Sequence, residues 1–401
     1  MELLSLQSDV LIEGWNGEIL GIGLDMGTTC SGASFGIYPE RGVKIPSKIS
    51  YDPDGNCKIG LKASEYLPVA KWFKLLLPSR NDLPPAIRNT RYIQEAEEAV
   101  ELMEKTPVQI AADYLRVLFR ATIKSIRAAV NDVDRMPFRV TITVPAVWTD
   151  HALGQMKEAV KLSGILDARP VGIPQTTANF ITEPKAAAAG TIYLMENRHL
   201  LSQGDSFVVA DLGGGTVDCI SYVVHKTDPF QIGELVEGDG ALCGAKFLDH
   251  AFFELLDIRL RDAGYQEWRE FIRYDRKRVR MIWEHLIKRP FGTEYFYSKI
   301  VGVGYQDDGT RVVLHISKEE LCAVFNTVYP KILELIQHQV TTVQAKTRKL
   351  PKYIFLVGGF GQNQYIYDLL VEQYAGQVVV LKGEDGWTSV SRGAVLWGGR
   401  E

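Results

Sequence analysis

Thiols are scarce in this 401-residue chain. Five cysteines, at 30, 57, 219, 243 and 322, form an odd, scattered set with no Cys-x-x-Cys pair. That argues against a disulfide framework and a thiol-built zinc site, and fits buried or free thiols in a reducing compartment. The seven histidines show no His-x(3–5)-His spacing either. No uncharged apolar run approaches the roughly 20 residues that a membrane span requires, so no membrane partner is expected. The opening Met1-Glu2-Leu3-Leu4-Ser5-Leu6 lacks a basic leader and soon meets Asp9 and Glu13, so it does not read as a signal peptide. Charge of one sign is also lacking: 45 basic and 49 acidic residues give a net −4. That argues against a polyanion-binding surface, and nucleic acid is not an expected partner. The expected setting is cytoplasmic, with the nucleus left open.

The length suggests two or more domains, each able to bury its own core. The stretch Phe207-Val-Val-Ala-Asp211-Leu-Gly213-Gly214-Gly215-Thr216-Val-Asp218 organises them. Two apolar runs joined by a glycine turn read as an antiparallel hairpin whose tip carries no side-chain bulk. Three glycines let backbone N–H groups approach and cradle an anion. Asp211 would repel that anion unless a divalent cation stood between them, so the pattern suggests a magnesium-bound phosphate. One such turn is ordinarily plain hairpin chemistry. Here it occurs twice, because Ile19-Leu-Gly-Ile-Gly-Leu-Asp25-Met-Gly27-Thr28-Thr29-Cys30 has the same grammar. Two copies nearly half a chain apart imply two similar lobes, each offering a phosphate hairpin to a shared cleft.

Around these hairpins the expected organisation is a lead-in at 1–18, lobe I at 19–205 and lobe II at 206–401. Lys44-Ile-Pro-Ser47 and Tyr51-Asp-Pro-Asp-Gly-Asn56 read as turn-rich, the latter as a hairpin, and 63–130 as mostly helical, broken between Leu75 and Pro85 by prolines that remove donors. Phe138–Val144 is a buried strand stopped by Pro145. His151–Leu162 is an amphipathic helix with Gly164 as its cap. Phe180–Glu183 is a short strand ending at Pro184, followed by a small-residue helix. In the second half, helices run from Gly244 to about 290, and the basic stretch Arg269–Arg289 is a solvated face. Glu284 and Lys288, at i,i+4, face the same way and could reach into one cleft. A hairpin is expected around Asp307-Asp308-Gly309, and a buried strand with a glycine exit at Lys352–Gly359. Helical insertions are placed at about 56–134 and 241–325, with a last helix at about 389–398 packing back toward lobe I.

In this order the segments resemble the ATPase domain of the heat shock protein 70 family, within the actin and sugar-kinase superfamily. Leu24-Asp25-Met-Gly-Thr-Thr29 is similar to its first phosphate motif, and Asp211-Leu-Gly-Gly-Gly-Thr-Val-Asp218 matches its second residue for residue. Thr143-Val-Pro-Ala-Val-Trp-Thr-Asp150 and Ile181-Thr-Glu-Pro-Lys-Ala-Ala-Ala188 resemble the approach to its first interdomain connection. Val357-Gly358-Gly359 and Arg392-Gly-Ala-Val395 stand in the places of its adenosine motif and second connecting helix. The likeness runs from about 19 to 399. It implies an α/β, duplicated actin-like ATPase fold: two lobes, each a mixed β-sheet with flanking helices, around a central nucleotide cleft.

The same resemblance implies ATP or ADP with magnesium, and assigns residues to them. Asp25 and Asp211 hold the metal through water. Gly27, Thr28, Thr29, Gly213, Gly214, Gly215 and Thr216 supply phosphate donors. Gly244, Glu284, Lys288, Gly358 and Gly359 serve the rest of the nucleotide. Glu183 positions the attacking water, Asp218 supports the second turn or helps orient that water, and Lys74, preferred over Lys71, approaches the γ-phosphate. Some positions depart from the family. Gly359 is followed by Phe360-Gly-Gln-Asn363 where Ser, a basic residue and Pro are usual. Phe360 either closes on the base or fills core. The helix Trp283–Arg289 is one residue longer between its acid and its base. Thr182 and Lys185 replace Asn and Thr around Glu183-Pro184. Glu401 falls where the family's linker and peptide-binding β-sandwich would begin, so the expectation is a divergent branch without that region, or a truncated product. Three functions remain open: a slow ATPase whose lobes open and close with nucleotide, a nucleotide-sensing module read by a protein partner, and a small-metabolite kinase.

Overall fold

The computed structural model describes residues 4–6, 19–35, 43–64, 67–83, 88–129, 133–194, 201–227, 230–264, 278–294, 299–305, 311–383 and 388–398. In the first half the strands are β1 (Leu4–Leu6), β2 (Leu20–Asp25), β3 (Cys30–Phe35), β4 (Val43–Pro46), β5 (Lys48–Tyr51), β6 (Cys57–Ile59), β7 (Ala70–Lys71), β8 (Phe138–Val144) and β9 (Thr177–Thr182). The second half adds β10 (Ser206–Leu212), β11 (Val217–Thr227), β12 (Phe230–Ala241), β13 (Lys299–Tyr305), β14 (Arg311–Ile316), β15 (Tyr353–Val357) and β16 (Val379–Lys382). The helices are α1 (Arg91–Leu102), α2 (Pro107–Arg127), α3 (Asp150–Leu162), α4 (Glu183–Leu194), α5 (Ala245–Asp262), α6 (Lys318–Phe325), α7 (Tyr329–Thr347), α8 (Gln364–Gln373) and α9 (Ser389–Gly398).

Two sheets repeat one topology. The first has the order β4-β3-β2-β8-β9 and the second β12-β11-β10-β15-β16, with β1 added at its edge. In each, a hairpin (β2–β3, β10–β11) continues antiparallel into a third strand, and the other two strands run parallel to the hairpin's first strand. Parallel neighbours need a crossover; α3 lies between β8 and β9, and α8 between β15 and β16. Strands buried on both faces read as continuous apolar runs, as Tyr353–Val357 and Phe207–Ala210 do. The chain thus has two lobes, each a mixed sheet with flanking helices, in the duplicated actin-like arrangement.

The two connecting helices exchange partners. α4 follows a first-sheet strand but buries Ala186 to Ala189 among Phe207, Val209 and Phe355 of the second sheet. α9 follows the second sheet and lies across β2, β3 and β8 of the first, with the Ser34 and Ser391 hydroxyls 2.8 Å apart. Where they cross, backbones touch. A β-carbon on Gly393 would stand 1.7 Å from the Ala186 carbonyl oxygen, and one on Gly190 2.1 Å from that of Ser389.

Several local expectations change. Lys44–Ser47, read as a turn, is mostly the strand Val43–Pro46, with Ser47 pinned to the first hairpin's turn, whereas the hairpin expected at Tyr51–Asn56 forms between Lys48–Tyr51 and Cys57–Ile59. The 63–130 segment holds β7 and a short 3-10 turn, Phe73–Leu76, before α1 and α2, since β7 has β5 to pair with. Glu183 is the first residue of α4 and no longer strand. Phe360 fills the second-lobe core. The 307–309 turn and the 269–277 part of the basic stretch lie outside the described residues, as does most of the 1–18 lead-in; β13 and β14 on either side of the former pair antiparallel.

Candidate functional site

The tips of the two hairpins meet. Asp25 faces Gly32 across the first, and Asp211 faces Asp218 across the second. In the second turn the Gly213 N–H donates to the Thr216 carbonyl at 2.9 Å. A β-carbon on Gly214 would lie 2.0 Å from Thr29 Oγ1, and one on Gly215 would lie 3.2 Å from Thr28 Cγ2 and 2.9 Å from Trp72 Cζ3. No side chain fits there, so glycine is required by the neighbouring turn as well as by its own.

Each turn is braced from behind. Ser47 donates from its hydroxyl to the Gly27 carbonyl at 2.6 Å and from its N–H to that of Thr29 at 2.8 Å. The start of α5 receives the second turn: the N–H groups of Gly244, Ala245 and Lys246 donate to the carbonyls of Gly215, Gly213 and Gly214 at 3.1, 3.2 and 2.8 Å. In a trans peptide C=O and N–H point oppositely. With those three carbonyls turned to α5, the N–H groups of Gly214, Gly215 and Thr216 point away from it.

Acids and one buried lysine surround the turns. Asp25 is buried, and the Thr143 hydroxyl on β8 donates to its Oδ1 at 3.1 Å. Gly358, with φ +77°, passes so close to Asp211 that a β-carbon would lie 2.2 Å from Oδ1. Lys74, on the 3-10 turn, is 2% exposed and donates from Nζ to Glu183 Oε1. Its Nζ also lies 5.4 Å from the centre of the Trp148 ring. Lys71 is exposed. Burial, then the charges of Glu183 and Asp211, push the Asp218 carboxyl up to about 8. The structure thus gathers Lys74, Glu183, Asp211 and Asp218 at one place beside both turns.

Glu284 and Lys288 belong to a second cluster. Lys288 Nζ reaches Glu284 Oε2 at 2.5 Å and Asp249 Oδ1 at 2.7 Å. Asp249 on α5 also accepts from Trp283 Nε1 at 2.7 Å and Lys246 Nζ at 2.8 Å. Burial works against the Asp249 charge, but Lys288 and Lys246 outweigh it and hold that carboxyl below the usual range. The extra residue between acid and base is housed in a π-helical turn, Ile282–Lys288, the usual way a helix absorbs an insertion. Asn363, soon after Gly358-Gly359, donates from Nδ2 to the Lys288 carbonyl at 2.9 Å. α5 therefore links this cluster to the second turn. Ser47, Thr143, Asp249 and Trp72 were not legible as site residues, because each acts through a contact distant in sequence. Trp72's neighbour Lys71 was the only local signal.

No family model matches the chain. Curated proteins do. A "Chaperone protein HscA homolog" of Laribacter hongkongensis is 28% identical over 95% of this chain and 62% of its own length. One from Neisseria meningitidis serogroup B is 30% identical over 59% of this chain and 37% of its own. "Heat shock 70 kDa protein 12A" of Mus musculus is 21% identical over 67% of this chain and 49% of its own. The chain spans less than two thirds of the length of these relatives. Together with the repeated lobes and paired glycine turns, these similarities support a heat shock protein 70-like ATPase domain.

Proposed function

We propose that the chain binds ATP with magnesium between lobes at 19–205 and 206–401, hydrolyses it slowly, and changes lobe closure with nucleotide state. The observation that carries this reading is the buried Lys74–Glu183 pair beside Asp218 and the touching glycine turns. Phosphoryl transfer needs positioning and charge neutralisation more than covalent help from the protein. The turn amides and the hydroxyls of Thr28, Thr29 and Thr216 supply donors for phosphate oxygens, and Lys74 a positive charge. Glu183 accepts the hydrogen bond of a water and aims it, with Asp218 supporting. Asp25, Asp211 and the glycine tip of the second turn suit a hydrated cation on phosphate. Among the described residues no group of three or more His, Cys, Asp or Glu side chains could hold a metal alone, so an ion here draws mainly on water and phosphate, as magnesium does. When bound, it offsets phosphate charge. Gly244, Glu284, Lys288, Gly358 and Gly359 form the nucleoside end.

The relatives' names carry the word chaperone, and by extension a protein partner reads the nucleotide state in a cytoplasmic setting. A second reading, a sensor with negligible hydrolysis, draws on Lys74 itself: it occupies the Glu183 carboxylate that would otherwise aim water. Two measurements on purified chain decide. Mg-ATP should raise thermal stability by about 2.7 kcal/mol at a hundredfold excess over Kd, and single-turnover assays should release phosphate without any added acceptor. No stabilisation by ATP or ADP, with or without magnesium, removes the whole reading; stabilisation without phosphate release selects the sensor. Turnover that requires a small-molecule acceptor marks a kinase.

A further inference from the structure

We propose that Trp72 is a positioning residue for the terminal phosphate, an indole wedge that seats both turns against each other and lets the site tell a triphosphate from a diphosphate. This rests on the reading of the site given above.

The backbone of Trp72 is the first observation. Its φ of 61° and ψ of 6° are left-handed, a strained region that bulky residues rarely occupy. Glycine would hold that bend without strain, so the ring must be held in place by its surroundings. The bend also opens the turn that carries Lys74: the Leu75 N–H donates to the Trp72 carbonyl at 2.8 Å. The direction of the chain entering Lys74 is therefore set at Trp72.

The ring is the second observation. It is 7% exposed, and its Cζ3 and the Thr28 methyl close on the same face of Gly215. The indole thus closes on the second hairpin's tip at the same point where Thr28 of the first hairpin meets it. The ring also packs against an aromatic chain. Tyr92 of α1 lies 4.6 Å away centre to centre, and Phe247 of α5 meets Tyr92 edge-on at 5.4 Å. Leu242 joins the same apolar cluster. Phe247 sits in the first turn of the helix whose opening N–H groups hold the Gly213–Gly215 carbonyls. A closed path therefore runs from the second turn through α5, Phe247, Tyr92 and Trp72 back to that turn, with Lys74 attached at Trp72.

Such a path makes the seating of Lys74 depend on how the two turns approach each other. A terminal phosphate, bound by both turns and by Lys74, draws on all of it. A diphosphate, lacking that group, draws on less.

The test uses the parent chain with Trp72→Ala, Trp72→Phe and Phe247→Leu, folding being checked by circular dichroism. Calorimetric Kd values for Mg-ATP and Mg-ADP and tryptophan emission are the readouts. Trp72→Ala should weaken Mg-ATP at least tenfold and Mg-ADP no more than about threefold, and Trp72→Phe should recover most of the loss. Phe247→Leu should reduce the ATP-over-ADP preference severalfold. The emission change lost in Trp72→Phe should accompany Mg-ATP and not Mg-ADP. An unchanged ATP-to-ADP ratio in folded Trp72→Ala overturns the proposal. If that variant does not fold, absence of a Trp72-specific ATP signal overturns it instead. Failure of the parent to bind either nucleotide overturns the underlying site reading, and this proposal with it.

Discussion

Lys74 and Glu183, 109 residues apart in sequence, are joined by a hydrogen bond between Nζ and Oε1 inside the protein. The lysine comes from a short turn in a helical insertion, and the glutamate from the first residue of α4. Both side chains are largely shielded from solvent, 2% and 11% exposed. Their meeting gives the site its only buried ammonium among the described residues gathered at the turns.

Glu183→Gln keeps the shape and removes the charge. With hydrolysis under way, single-turnover rates should fall by roughly 10²–10⁴-fold, the usual contribution of a positioned acid or base, while ATP affinity changes little. Survival of the rate within a few-fold would show that Glu183 only begins the helix, where an acid is favoured in any case.

Lys74→Met leaves buried carboxylates without their counter-charge. Urea unfolding at pH 7 should show a loss of about 3 kcal/mol. Adding Glu183→Gln to Lys74→Met should restore part of that loss, because the uncompensated charge goes with it. Simple additivity of the two changes would mean that the pair does not interact.

Asp218 makes stability depend on pH. Its carboxyl is raised from 3.8 to about 8 by burial first and neighbouring acids second, so the folded chain keeps a proton that the unfolded chain has released. The associated stability is fully present below about pH 3.8 and is lost as pH rises through about 8. Asp218→Asn cannot ionise. Relative to the parent its stability should therefore climb from pH 5 to pH 8 and level off above. A parent-to-variant difference that stays flat over that range contradicts the assignment.

Gly393→Ala would drive a methyl group into the Ala186 carbonyl at the helix crossing. Overpacking of this kind costs about 1–3 kcal/mol or more. A drop in the urea midpoint is expected, whereas Gly376→Ala, in open space though left-handed, should lose only its backbone preference. Equal midpoints for Gly393→Ala and the parent would mean that the helices separate freely.

The chain's own order of residues determined the two hairpins, their aspartates and the resulting pair of lobes. Local rules suffice for these: glycine at a tip, apolar runs on either side, and a proline or cap where an element stops. Helical spacing placed Glu284 and Lys288 on one helix face, whereas the π turn that houses the residue between them appeared only in the structure. Turn-rich composition misread 44–47, because β4 pairs with β3 and Ser47 is held by the first turn, while the hairpin read at 51–56 joins β5 to β6. Which lysine meets Glu183, which carboxylate gathers Lys246, Trp283 and Lys288, and where α4 and α9 exchange sheets were decided only by tertiary structure. Those contacts join residues dozens to hundreds of positions apart. Their energy depends on burial and on charges brought close in space, and neither quantity exists until the lobes have packed.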